Sequence, residues 1–273
     1  MKFKKSLKIF IFACLIVLMI TITGCNKLKI NANYVYDDTN YSVGNKAFGF
    51  NINTINIDWI AGNVYIIQST NNEIIIREDV DIEIEDIYKM HYLYDNGVLN
   101  IKYAGSMRNL NYNYKTKDLY LMLPNIANEI NINSVSSDIQ ISMVSINDLE
   151  IDNVSGYINI EDATINNLEI DNVSGDIIIF DNYIKDLDID TVSGNAGLSF
   201  NSLPLDLDVS STSATISIYI KDSDPLKISF ETISGKLKTN LEYVKKGDTY
   251  IFNNGTLEYE IDSVSGSLKV LKK

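Results

Sequence analysis

Few side chains in this sequence could do chemistry, and their spacing decides which of them should. The cysteines are Cys14 and Cys25, and the single histidine is His91. The serines recur instead. Ser155, Ser174 and Ser193 follow one another at 19-residue steps, and Ser234 and Ser265 stand in the same phrase further on. A serine nucleophile needs a base within hydrogen-bond reach and a third group that orients the base. One histidine cannot serve all of these serines, and a nucleophile need occur only once. The repetition therefore predicts a turn or ladder role, and a lone His in a Tyr-rich stretch reads as a packing residue. The sequence has no Walker-type phosphate loop, dinucleotide-binding glycine fingerprint or zinc-protease helix motif. No catalytic residue, cofactor or metal is assigned.

Carboxylates are the other chemical resource. Glu150, Glu169, Asp188 and Asp208 recur in step, as do Asp152, Asp171, Asp190, Glu231 and Asp262. If the repeats stack, each set becomes a column of like charges ~5 Å apart, which must face water or share cations. Calcium takes oxygen ligands, but the Gly-Gly-x-Gly-x-Asp pattern of calcium-binding repeats is missing. A solvated face that blocks aggregation is the expectation. Glu83 and Glu85 could suggest a glycosidase, which needs two carboxylates across a cleft; their alternation with Ile82, Ile84 and Ile87 reads as a strand. Residues 88–120 mix Tyr88, Tyr92, Tyr94, Tyr103, Tyr112, Tyr114 and Tyr120 with Lys89, Lys102, Arg108, Lys115 and Lys117. Rings beside cations suit glycans or anionic polymers, but the exposed face of an edge sheet is the stronger expectation.

The elements that position these residues follow from the same phrase. "LEIDNVSGYINI" from Leu149, "LEIDNVSGDIII" from Leu168 and "LDIDTVSGNAGL" from Leu187 place Gly156, Gly175 and Gly194 at equal steps. Weaker copies put Ser137 and Ala214 in the glycine position, then Gly235 and Gly266, with an early copy at Gly62. Inside each copy, apolar residues alternate with polar ones, which is the period of a strand. Each repeat is thus two short strands about a tight turn, whose glycine supplies a backbone angle that a side chain would penalise. A fixed period of this size implies stacking. Either a meander of hairpins or a β-solenoid has two strands per repeat, and constant length favours the solenoid, which requires Ile151 beside Ile170. Recurring Val, Ile and Leu columns then form one interior. The extra residues before Gly266, around "VKKGDTYIFNNGT", read as a hairpin insertion.

The leader makes Cys25 specific. Lys2, Lys4, Lys5 and Lys8 precede an apolar run over 9–22 and then Ile22-Thr23-Gly24-Cys25. Basic, apolar and small-residue regions in that order make a secretory signal peptide, and the apolar run is shorter than the ~20 residues of a spanning helix. The segment resembles a bacterial lipoprotein signal with its lipobox. That resemblance implies removal of residues 1–24, a diacylglycerol on the Cys25 sulfur (with acyl chains of the palmitate class), and attachment to the outer face of the cell membrane. It also leaves the mature domain without a disulfide or a reactive thiol.

The chain carries 23 Lys+Arg against 36 Asp+Glu, net −13, and four of the lysines lie in the leader. Such acidity argues against nucleic acid, whose phosphates need a basic surface. The polar stretch 25–45 reads as a lipid-anchored tether. Residues 46–273 read as one all-β solenoid domain, with an irregular part over 46–130 and Val-Ser-Gly rungs over 131–273. The Tyr-rich part would cap one end, and Lys269, Lys272 and Lys273 would blunt the other as edge charges.

The repeat is similar to the DUF4097 group of bacterial envelope proteins, described as candidate adhesins with β-strand repeats and including the LiaG-like proteins. The residues that carry the likeness are "VSGYINI", "VSGDIII" and "VSGNAGL", with "DLYLMLP" over 118–124 and the closing "NGTLEYEIDSVSGSLKV". The resemblance implies a single-stranded β-solenoid with no known enzymatic residues, exposed outside the membrane. The functional expectation is a non-enzymatic module that binds a wall polymer or a membrane protein, as an adhesin or an envelope-stress accessory. The alternative is a polysaccharide-acting enzyme on a β-helix scaffold.

Overall fold

Alternation of Ile or Leu with Asp or Glu sets the rung. Along Ser145–Ser155 the side chains of Ile146, Leu149, Ile151 and Asn153 are buried while Glu150 and Asp152 face outward. Thr164–Ser174 repeats the pattern with Ile165, Leu168, Ile170 and Asn172. Ile151 lies beside Ile170, and Ile170 beside Ile189, in parallel register. Stacked rungs give that pairing and hairpins do not, so the chain is a β-solenoid. Each fully buried Ile contributes on the order of 1.5–3 kcal/mol, and the columns run unbroken from rung to rung. This computed structural model describes residues 32–49, 52–110, 117–124 and 126–273. The leader with Cys14, the lipobox with Cys25, and Tyr112, Tyr114 and Lys115 lie outside the described residues.

Each rung has a first-face strand before the Val-Ser-Gly corner and a second-face strand after it. In the middle of the stack, Ser145–Ser155 leads through the corner to Ile158–Glu161, and Thr164–Ser174 to the start of Ile177–Ser193. The rung returns through a second corner, where Met143, Asp162 and Asp181 take left-handed backbone with φ of +55°, +52° and +53°. No glycine marks this corner in the sequence.

Rungs do not stack in chain order at either end. The strand Thr54–Gln68, with Gly62 at its corner, pairs along its length with Ile126–Ser142. Its other edge pairs with Val98–Lys102 on the first face and Asp118–Leu123 on the second. The terminal rung is therefore 98–123, and 54–68 is sandwiched. The far end mirrors this. Leu257–Ser263 and Ser267–Lys272 sit between the 206–220 rung and Leu226–Thr232 with Leu237–Thr239. Lys269 and Lys272 consequently lie on an inner rung and are not edge charges. Hairpins cover the outer first-face edges: His91–Asp95 pairs with Val98–Lys102, and Thr249–Ile251, backed by Val244–Lys246, pairs with Leu226–Thr232. The second of these is the expected insertion.

Two further expectations change. The stretch 46–130, taken as irregular, holds two full rungs, so the stack begins well before residue 131. Residues 32–45, assigned to the tether, are packed. The Tyr34 hydroxyl accepts the Tyr103 N–H at 3.1 Å, and the Tyr36 hydroxyl donates to the Ala104 carbonyl at 2.7 Å. The end beyond 54–68 is closed by Lys117. Its ammonium, 3% exposed, pairs with Glu78, donates to the carbonyls of Tyr88 and Tyr103, and lies 4.3 Å from the Tyr103 ring centroid. The Lys117 carbonyl takes the Trp59 indole N–H at 3.0 Å. Burial outweighs the Glu78 charge and pushes the Lys117 ammonium down to about 8.

Candidate functional site

The Val-Ser-Gly corner holds most of the repeated polar chemistry. Ser155, Ser174, Ser193 and Ser265 each donate through Oγ to a carbonyl of the preceding rung, those of Val135, Val154, Val173 and Thr212, at 3.1–3.3 Å. Asn153 and Asn172 reach around the corner to the carbonyls of Gly156 and Gly175 at 3.2 and 2.8 Å. Gly62, Gly156, Gly175 and Gly194 take φ between +101° and +148°. A Cβ on any of the last three would stand 2.0–2.1 Å from a carbonyl oxygen of the rung beneath. Gly235 and Gly266 lack the positive φ, and close approach alone excludes a side chain there: a Cβ would meet the Gly266 and Ala214 carbonyls at 1.9 and 2.0 Å. Ser137 and Ala214 fit in the same corner with buried side chains.

The valine of the phrase does not join the interior. Val135, Val264 and Ile233, at equivalent corner positions, are 46%, 48% and 84% exposed, and Val154, Val173 and Val192 are partly exposed beside them. The apolar columns are those of Ile, Leu and the residues before the corner.

The first face carries the acidic columns in register. Glu150, Glu169, Asp188, Asp208 and Glu260 are successive neighbours. Asp152, Asp171 and Asp190 form the next column, which continues through Ser210 to Asp262 and Glu231. Upstream the first of these columns changes chemistry: Asn131 donates to Asn56 and Asn56 to Asn100, each at 3.0 Å. Crowding between rungs and the neighbouring charges raise the carboxyls of Glu150 and Asp152 above their ordinary range. Asp171 is pushed up to about 6, by desolvation first and then by Asp152, Glu169 and Asp188. Among the described residues no group of three or more His, Cys, Asp or Glu side chains is placed to hold a metal ion.

Other sequence candidates disperse. His91 is buried, with Nδ1 2.9 Å from the Lys89 carbonyl. Glu83 and Glu85 are exposed and lie not in a strand but in the connection before a single 3-10 turn, Asp86–Tyr88. The alternating isoleucines misled there because no neighbouring strand pairs with them. The Tyr-rich stretch is divided: Tyr103 packs in the end cap against Trp59, while Tyr120 stacks on Tyr65 at 4.7 Å under Arg77. Asparagines supply what sequence reasoning missed. Asn166 donates to Asn147, Asn147 to Asn128 and Asn128 to Asn53, at 3.0, 3.2 and 3.2 Å. Their 19-residue recurrence, broken only by the early copy, was the available signal.

A family model described as Toastrack DUF4097 matches residues 59–271. Among solved structures, a candidate adhesin from Bacteroides fragilis covers 85% of this chain and 97% of its own, at 13% identity and a TM-score of 0.51. At that identity the likeness speaks to fold. A candidate adhesin from Parabacteroides merdae (14% identity, 89% and 100% covered, TM-score 0.44) is also similar. So is a candidate lipid-binding protein from Parabacteroides distasonis (16% identity, 86% and 97% covered, TM-score 0.45). No curated protein matches the chain.

Proposed function

Because the chain belongs to the Toastrack DUF4097 family, we propose that it is a non-enzymatic, extracytoplasmic module, held to the membrane by a lipid on Cys25, that binds envelope material. The observation that carries this reading is the use made of the repeated polar groups. The serines, asparagines and glycines that a repeat could offer to catalysis are committed to rung-to-rung bonds and close backbone approach. What the rungs offer outward is a regular, extended face, which suits a polymer or a protein surface better than a small substrate. The expected partner is a wall polymer or a membrane protein; the acidic surface disfavours nucleic acid. Two acyl chains suffice for stable anchoring, since each buried CH₂ contributes about 0.8 kcal/mol.

Covalent cross-linking in intact cells followed by affinity recovery tests the binding reading. Co-recovered glycan supports adhesion to wall polymer, and a co-recovered sensor or permease supports the accessory role. Reducing ends released from purified wall by the isolated domain would overturn the non-enzymatic reading. Cys25→Ser is expected to shed the protein from the membrane or leave the precursor uncut. A shortened Cys25→Ser product that stays on the membrane would remove the anchor from the proposal.

A further inference from the structure

In a solenoid stacked in chain order, the first and last rungs each have one neighbour, and the chain can fray from either end. Here the first rung in the chain, 54–68, is hydrogen-bonded on both edges and both faces. The last, 257–272, is likewise held between two rungs on both faces. The rungs that do end the stack, 98–123 and 226–239, are internal to the chain, so neither has a free end from which to peel. We infer that these two crossovers are an end lock: neither end of the chain's rung array can leave the stack without opening two ladders together.

The consequence is a change in how the molecule opens. Releasing 257–272 removes the neighbour of both 206–220 and 226–239, so it exposes two apolar rung surfaces at once. The apolar residues that would be exposed include Tyr259, Ile261, Leu268 and Val270, all buried. Tension between the two ends of the chain meets the same obstacle, because 226–239 lies outside 257–272 and 98–123 lies outside 54–68. Only the short pairings of Ser42–Val43 and Lys46–Phe48 with His91–Asp95 and Ile74–Asp79, and that of Ala32–Tyr34 with Met107–Leu110, can peel first. Membrane anchoring would give such a lock a use, but the lock is read from the register alone.

Native-state hydrogen exchange on the intact domain tests it without any variant. Amides of 54–68 and 257–272 should exchange within about tenfold of those in 145–193, as groups released only by global opening do. Exchange at either locked rung roughly 100-fold faster than in 145–193 would show sub-global fraying and overturn the lock. Pulling single molecules by their ends gives a second readout. After the first short pairings release, one large extension is expected. A series of steps of roughly 65 Å, the extended length of one 19-residue rung, would mean rung-by-rung peeling and would likewise sink the inference. Either outcome leaves the membrane-anchor reading untouched, because that reading is tested at Cys25.

Discussion

Two corners of the same rung place opposite demands on the residue that turns them. At the first, Gly175 combines φ of +127° with a carbonyl oxygen where its Cβ would be. At the second, Asp162 accepts φ of +52° with its side chain in place. Left-handed backbone alone costs an L-residue about 1–2 kcal/mol, and a contact with fixed backbone adds to it. Gly175→Ala should therefore lose about 3 kcal/mol or more of stability in urea unfolding. Asp162→Gly should range from no change to a gain of about 1 kcal/mol, since relief of strain is partly offset by the entropy of glycine. Equal losses at both corners would mean that close packing, and not conformation, governs each. The buried pair under the end cap permits another contrast. Glu78→Gln leaves the Lys117 ammonium without its counter-charge and should cost about 3–5 kcal/mol, whereas Lys117→Met, which removes the charge and keeps the stem, should cost much less. Urea midpoints of the two variants compare them directly.

At the scale of the rung, the equal spacing implies interchangeability. Ser145, Thr164 and Tyr183 occupy the same place in successive rungs, and every partner that follows keeps that offset through Ser155, Ser174 and Ser193. Removing residues 164–182 would join Ala163 to Tyr183 and restore the register of 145–161 with 183–199. This variant should fold, with an unchanged far-ultraviolet spectrum per residue and a modest fall in melting temperature. Removing half as many residues would reverse the inward and outward faces of part of a rung and should give no cooperative transition. The same logic explains what was legible in advance. Period-two alternation and equal steps revealed the solenoid and the columns of Ile151 and Glu150, because both depend on local sequence alone. The sandwiching of 54–68 and 257–272 was not legible, because parallel neighbours at either end satisfy the same Ile and Leu pattern in either order. Nor was the outward turn of Val154 and Val173, since a valine before a corner looks the same in sequence whichever side it faces.

Across the whole molecule, the dominant electrostatic fact is the acidic first face, and it ties stability to pH. The carboxyls of Glu150, Asp152 and Asp171 are raised in the folded protein, so the folded state binds protons more tightly than the unfolded chain. Their contribution to stability is therefore full below the ordinary carboxylate range and is lost as pH rises through the folded values, which for Asp171 is about 6. Asp37 and Asp86 work in the opposite sense, held down by the Thr39 hydroxyl and by Lys89, but their effect is lost only as pH falls below the ordinary carboxylate range. The melting temperature should accordingly rise on acidification from neutral pH towards pH ~4 and turn over beneath it. Added salt should raise it at neutral pH, by screening like charges along each column, and do so less near pH ~4, where part of that charge is gone. Asp171→Asn should lift the neutral melting temperature and flatten the slope between pH ~4 and ~6, because it removes a repelled charge without removing a rung bond. A melting temperature that falls on acidification from neutral pH would show that the columns are relieved by a bound cation or by a partner's basic groups, and not by protons.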